Sequence, residues 1–156
     1  MLKRIKCNLF TEPVITFHKG LNTVVGDDDA ANSIGKSTTL MIIDFVFGGD
    51  DYIKKSDAIQ NLEPHEFFFS FEFSKEELHF MRSTSEYKYV YKCTSNYETG
   101  DRISVDDYTA LLKEKYEIAL SDAKFRYIVG RYFRVYGREN LNEKKPIQYL
   151  DRKSVV

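Results

Sequence analysis

Leu21-Asn22-Thr23-Val24-Val25-Gly26, then Asn32-Ser33-Ile34-Gly35-Lys36-Ser37-Thr38-Thr39, then Leu40-Met41-Ile42-Ile43-Asp44-Phe45-Val46-Phe47, is the stretch that decides how this chain reads. An apolar run, a loop ending in Gly-Lys-Ser-Thr and a second apolar run predict strand, loop and helix, the layout of a phosphate-binding P-loop. Each residue type has a reason to be there. Gly35 lets the backbone approach a phosphate without a clashing Cβ. Lys36 places a cation near β- and γ-phosphates, and the Ser37 hydroxyl can face Mg²⁺. The first turn of the helix carries unpaired N–H groups and the positive dipole end, so it attracts an anion.

The usual spacing places an earlier glycine at position 30, where this chain has Ala30; the nearest is Gly26. The loop therefore reads as a P-loop lengthened by Asp27-Asp28-Asp29-Ala30. Successive carboxylates repel a triphosphate. They are expected to point to solvent, or to be neutralised by a metal or a basic partner.

Outward from the loop, residues 2–10 alternate in part and predict a strand, broken by Thr11-Glu12-Pro13. Val14 to Phe17 starts a second strand, and His18-Lys19-Gly20 reads as a turn. Leu21 to Val25 reads as a third strand, of the kind buried on both faces. The helix runs from about Lys36 to Phe47, apolar almost all round and so expected inside the protein, and Gly48-Gly49 ends it. Residues 50–65 show no period and predict an irregular excursion with a short helix. Glu66 to Phe73 predicts an aromatic strand, and 77–82 and 87–93 two more strands of a meander. Residues 96–101 read as a loop. Ser104 is placed to cap a helix over 105–116, and a second helix is expected over 121–136. The charged tail from Arg138 reads as a loop.

Charges nearly cancel, with a net charge of -1, so no global field draws the chain to nucleic acid or to an anionic membrane. Cys7 and Cys93 are the only cysteines, too few for a disulfide framework, and the simple reading is a reducing cytoplasm. No apolar run is long enough to predict a transmembrane helix, and the N-terminus does not read as a signal peptide.

Leu2 to Phe10, Phe17-His18-Lys19-Gly20-Leu21-Asn22-Thr23-Val24-Val25-Gly26, Asn32 to Thr39 and Met41 to Asp44 together resemble the N-terminal (Walker A) lobe of ABC-type ATPases of the SMC, RecF and RecN kind. The resemblance is specific over residues 2–49 and architectural over 66–95; the tracts 125–137 and 138–150 resemble bacterial coiled-coil ATPases of this class. It implies ATP and Mg²⁺ as cofactors and a nucleotide sandwich, formed as a homodimer or by a completing second lobe. By match, Asn32, Ser33, Ile34 and Gly35 supply loop N–H groups, Lys36 meets the β- and γ-phosphates, Ser37 the Mg²⁺ and Thr38 the α-phosphate. A glutamine that touches the metal is expected at Gln148, with Gln60 as an alternative. The implied roles lie in DNA maintenance, repair or defence, with DNA as a further candidate partner.

Other parts of that class are absent. No Asp-Glu pair ends an apolar strand, no serine-glycine-glycine signature occurs, and Ile42-Ile43-Asp44 lies in the wrong element with Phe45 in place of the glutamate. No catalytic residue is assigned, and hydrolysis is expected only if a second lobe supplies the missing groups. A non-catalytic nucleotide-binding or protein-interaction module is the alternative. His18, His65 and His79 share no metal-ligand spacing with the cysteines. Arg131, Arg134 and Arg138 recur at helical spacing, either as a solvated helix face or as a contact for DNA or an opposite head.

The expected fold is α/β (α+β): the first lobe of a P-loop NTPase, with a mixed sheet around a buried P-loop helix, an antiparallel meander and C-terminal helices. One partial head domain is expected over 1–156, with strands, P-loop and helix in 1–49, the irregular segment and antiparallel strands in 50–100, and helices and tail in 101–156.

Overall fold

The computed structural model describes residues 1–24, 33–74, 76–119 and 124–130. In chain order the elements are β1 (Leu2–Lys6), β2 (Val14–Thr16), α1 (Ser33–Val46), α2 (Asp51–Lys55), α3 (Asp57–Asn61), β3 (Glu66–Phe73), β4 (Glu76–Ser83), β5 (Tyr89–Cys93), β6 (Thr99–Ser104), α4 (Val105–Lys115) and α5 (Phe125–Val129). The strands form one six-stranded sheet in the order β2-β1-β3-β4-β5-β6. Every neighbouring pair is antiparallel.

This overturns the expected P-loop NTPase lobe with a mixed sheet around its helix. A mixed sheet needs parallel neighbours, and no described strand has one; the expected third strand, Leu21 to Val25, is no strand over its described part. Leu21–Val24 is irregular, with Leu21 84% and Val24 42% exposed. An apolar run becomes an inner strand only where neighbouring strands take up its backbone N–H and C=O groups, and no described strand pairs with it. The helix is likewise not enclosed by sheet: α1 lies on one face of it.

The aromatic strand explains that face. Side chains alternate along a strand, so Phe67, Phe69 and Phe71 of β3 point one way, and all three are fully buried. Their register against β4 adds Phe80, stacked on Phe69 at 5.9 Å. A bulge between Leu2 and Arg4 turns both Leu2 and Ile5 of β1 into the same core. The C-terminal half of α1 covers this surface: the Phe45 ring meets Phe67 at 5.7 Å and the Phe47 ring meets Phe71 at 5.3 Å, both edge-on. Tyr108 of α4 packs against Phe80 at 5.1 Å, and Phe125 of α5 reaches Phe47.

The turn before the irregular segment shows why glycine and asparagine stand there. Gly20 has φ +92°, which favours glycine. The Asn22 side chain accepts from the His18 N–H at 3.0 Å and donates to the His18 carbonyl at 2.9 Å, closing the turn. Ser104 caps α4 as its sequence implies, accepting from the Asp107 N–H at 3.1 Å.

Three local expectations need correction. Residues 50–65 form two short helices rather than one. Thr99 and Gly100, read as loop, open β6, an exposed edge strand whose Gly and Asp are poor strand formers. α1 starts at Ser33, ahead of Lys36. Of the helix expected over 121–136, the described part is α5.

Candidate functional site

The two ends of α1 differ. At its N-terminal end Gly35, Lys36 and Ser37 are all exposed, and no acidic residue stands in the first turn. The Thr39 hydroxyl donates back to the Gly35 carbonyl at 2.8 Å, so it is used within the helix. The first N–H groups of a helix have no intrahelical partner. With α1 starting at Ser33, Lys36 closes the first turn and Ser37 opens the second, so a cationic side chain and a hydroxyl stand next to those donors, which suits an anion such as a phosphate. Ser33 and Ile34 belong to the first turn. Asn32 and the acidic Asp27-Asp28-Asp29 lie outside the described residues.

At the other end the helix runs into the core. Its last carbonyls are taken by two buried side chains. The Arg82 guanidinium donates through Nη1 to the Phe45 carbonyl at 2.5 Å and the Gly49 carbonyl at 2.8 Å, and through Nε to the Tyr87 carbonyl at 2.8 Å. The Tyr108 hydroxyl donates to the Val46 carbonyl at 2.8 Å. Arg82 also stacks on the Phe45 ring at 4.0 Å. Burial pushes the Arg82 pKa down to about 10, which leaves it charged at neutral pH. Sequence reasoning missed this residue. The signal was there: Leu78, Phe80 and Arg82 share one face of β4, so the arginine had to point inward with them.

Asp44 lies beside this end of α1 and accepts from Arg126 Nη2 with both oxygens at 3.2 Å, tying α1 to α5. Burial raises the Asp44 pKa, with Arg126 opposing. Asp44 is thus an ion-pair partner at the far end of the helix from Lys36, and no strand carboxylate.

Of the metal candidates, Ser37 is exposed at the start of the second turn of α1, where its hydroxyl could face Mg²⁺. Gln60 is exposed on α3, and Gln148 lies outside the described residues. Among the described residues no three His, Cys, Asp or Glu side chains are grouped to hold a metal. Arg131, Arg134 and Arg138 also lie outside them.

Two other polar groupings are held in hydrogen bonds within the fold. The Ser70 hydroxyl donates to Glu77 at 2.7 Å, and His79 stands 3.9 Å from the same oxygen, so the serine is bound to the carboxylate and not to the histidine. His65 Nδ1 donates to the Glu63 carbonyl at 2.8 Å, which leaves Nε2 to accept from Tyr52 at 2.9 Å. Burial raises the Tyr52 pKa to about 12, so its phenol is not activated.

Compared with protein-family models and with curated proteins, the chain finds no match in either. Among the described residues no helix is long and apolar enough to cross a membrane.

Proposed function

We propose that this chain binds ATP with Mg²⁺ through the first turn of α1, and that it serves as a nucleotide-binding lobe of an SMC/RecN-like ABC-type ATPase in DNA maintenance, repair or defence in the cytoplasm. The observation that carries the reading is the joint exposure of Gly35, Lys36 and Ser37 on a helix start free of acidic residues. Lys36 would meet the β- and γ-phosphates, Ser37 the Mg²⁺, Thr38 the α-phosphate, and the N–H groups of Ser33, Ile34 and Gly35 the remaining oxygens. Held there, Mg²⁺ would supply charge neutralisation for the phosphates.

The partner in this reading is a second copy across the shared nucleotide, or a separate lobe. The exposed Leu21 and Val24 support it, since an apolar run with a strand's pattern suits burial against further sheet. DNA is a further candidate partner.

The test is nucleotide binding by calorimetry. The chain should bind Mg-ATP, and Lys36→Ala should abolish the binding; equal affinity in the mutant would defeat the reading. A second reading, a non-catalytic nucleotide-binding module, is favoured by the wholly antiparallel sheet and the absence of any Asp-Glu pair. Binding without turnover, whether or not a completing lobe is supplied, selects it.

A further inference from the structure

We propose that Arg82 and Tyr108 are positioning residues for the nucleotide site: a buried double anchor that grips the C-terminal end of α1 and thereby sets where Lys36 and Ser37 stand. This rests on the reading of the first turn of α1 as a phosphate site. The asymmetry of the helix is the starting point. One end is exposed; at the other, Arg82 and Tyr108 are 1% and 0% exposed and hold the carbonyls of Phe45, Val46 and Gly49.

These bonds do what the surrounding apolar packing does not. Burial of Ile42, Ile43, Phe45 and Val46 holds α1 on the sheet, but apolar contact is non-directional. Hydrogen bonds fix direction. Arg82 comes from β4 and also binds the Tyr87 carbonyl of the β4–β5 turn, while Tyr108 comes from α4. The helix end is therefore fixed against two different elements at once, which defines its axial position and its rotation. A cation also suits the negative end of the helix dipole.

An arginine is a costly way to fill a core. Its charge is buried without a carboxylate in hydrogen-bond contact, and an apolar residue of similar volume is often as stable or more so. What the apolar residue lacks is the set of donors that holds three carbonyls in fixed places. The lever is long enough for this to matter. A helix of 14 residues spans about 20 Å, so a tilt of about 5° at the anchored end moves the first turn by about 2 Å. Misplacement by about 1 Å is enough to degrade a phosphate-handling site.

Two variants test the anchor. Tyr108→Phe keeps the ring and removes only the hydroxyl; Arg82→Met keeps much of the volume and removes the donors. For each, the Mg-ATP affinity and the hydrogen exchange of α1 amides in nucleotide-free protein are measured. Tyr108→Phe should bind Mg-ATP about fivefold more weakly, and Arg82→Met more weakly still. Exchange should quicken over residues 36–41, beyond the anchored carbonyls, and Arg82→Lys should not restore it, because an ammonium lacks the planar fork. The anchor is refuted if a folded Tyr108→Phe protein keeps the parental affinity, or if its faster exchange is confined to residues 45–49. Should Arg82→Met fail to fold, Tyr108→Phe decides. Should the parent chain bind no Mg-ATP, the proposed function falls, and the exchange profile alone decides the anchor.

Discussion

Glu77 shows how much one side chain can organise. Ser70 donates to it at 2.7 Å and Arg4 at 3.1 Å, and His79 stands 3.9 Å away. The Ser70 hydrogen bond, with Arg4 assisting, holds its carboxyl below the ordinary value of 4.5. A depressed carboxyl contributes stability that is present above the unfolded value and is lost as pH falls through the folded one. Melting temperature should therefore drop on acidification below about pH 4.5, and Glu77→Gln should flatten that part of the profile. Identical acid slopes for the two proteins would rule this out. Single residues with a local job were legible in the sequence: Gly20 in its turn and Ser104 as a cap. Glu77 and Arg82 were not, because their partners lie on other strands or on α1, and residue spacing along one strand does not reveal them.

Among the elements, β3 was the plainest to read, since its phenylalanines alternate and all of one set is buried. The end of α1 was also legible, and its physics can be measured. Gly48 sits at φ +94°, and a Cβ there would meet the Thr109 Cγ2 at 2.5 Å; Gly20 has φ +92° with nothing within 4 Å. Gly48→Ala thus suffers both backbone strain and overpacking, and should cost about 2–4 kcal/mol. Gly20→Ala suffers the strain alone and should cost about 1 kcal/mol. Denaturant unfolding of the two variants checks the difference, and equal losses would contradict it. β6 escaped the sequence because Gly100 and Asp101 are poor strand formers and outweigh Thr99; pairing with β5 makes the segment a strand. Leu21 to Val25 failed in the opposite sense. Its propensity is high, and over its described residues no neighbour pairs with it.

For the molecule as a whole, the sequence carried the apolar inventory and the β3-β4-β5 meander but not the arrangement of the rest of the sheet. Parallel and antiparallel sheets draw on the same Val, Ile and Phe, and only the pairing distinguishes them. Here every pairing is antiparallel. The exposed Leu21 and Val24 then add little to the isolated fold, and replacing both with serine should leave its unfolding free energy within about 0.5 kcal/mol. A clear loss of stability in chemical unfolding would mean that these side chains are buried in solution.

The strand order has a consequence for synthesis. From β4 to β6 each strand lies beside the one made just before it, so that part of the sheet can zip up as it leaves the ribosome. β1 cannot. One of its edges takes β2 at once, but the other belongs to β3, and α1, α2 and α3 are all translated in between. Until β3 emerges, the nascent chain carries Leu2 and Ile5 on a two-stranded ribbon too small to stand alone, and the pairing of β1 is complete only when the sixth element, β3, has been made.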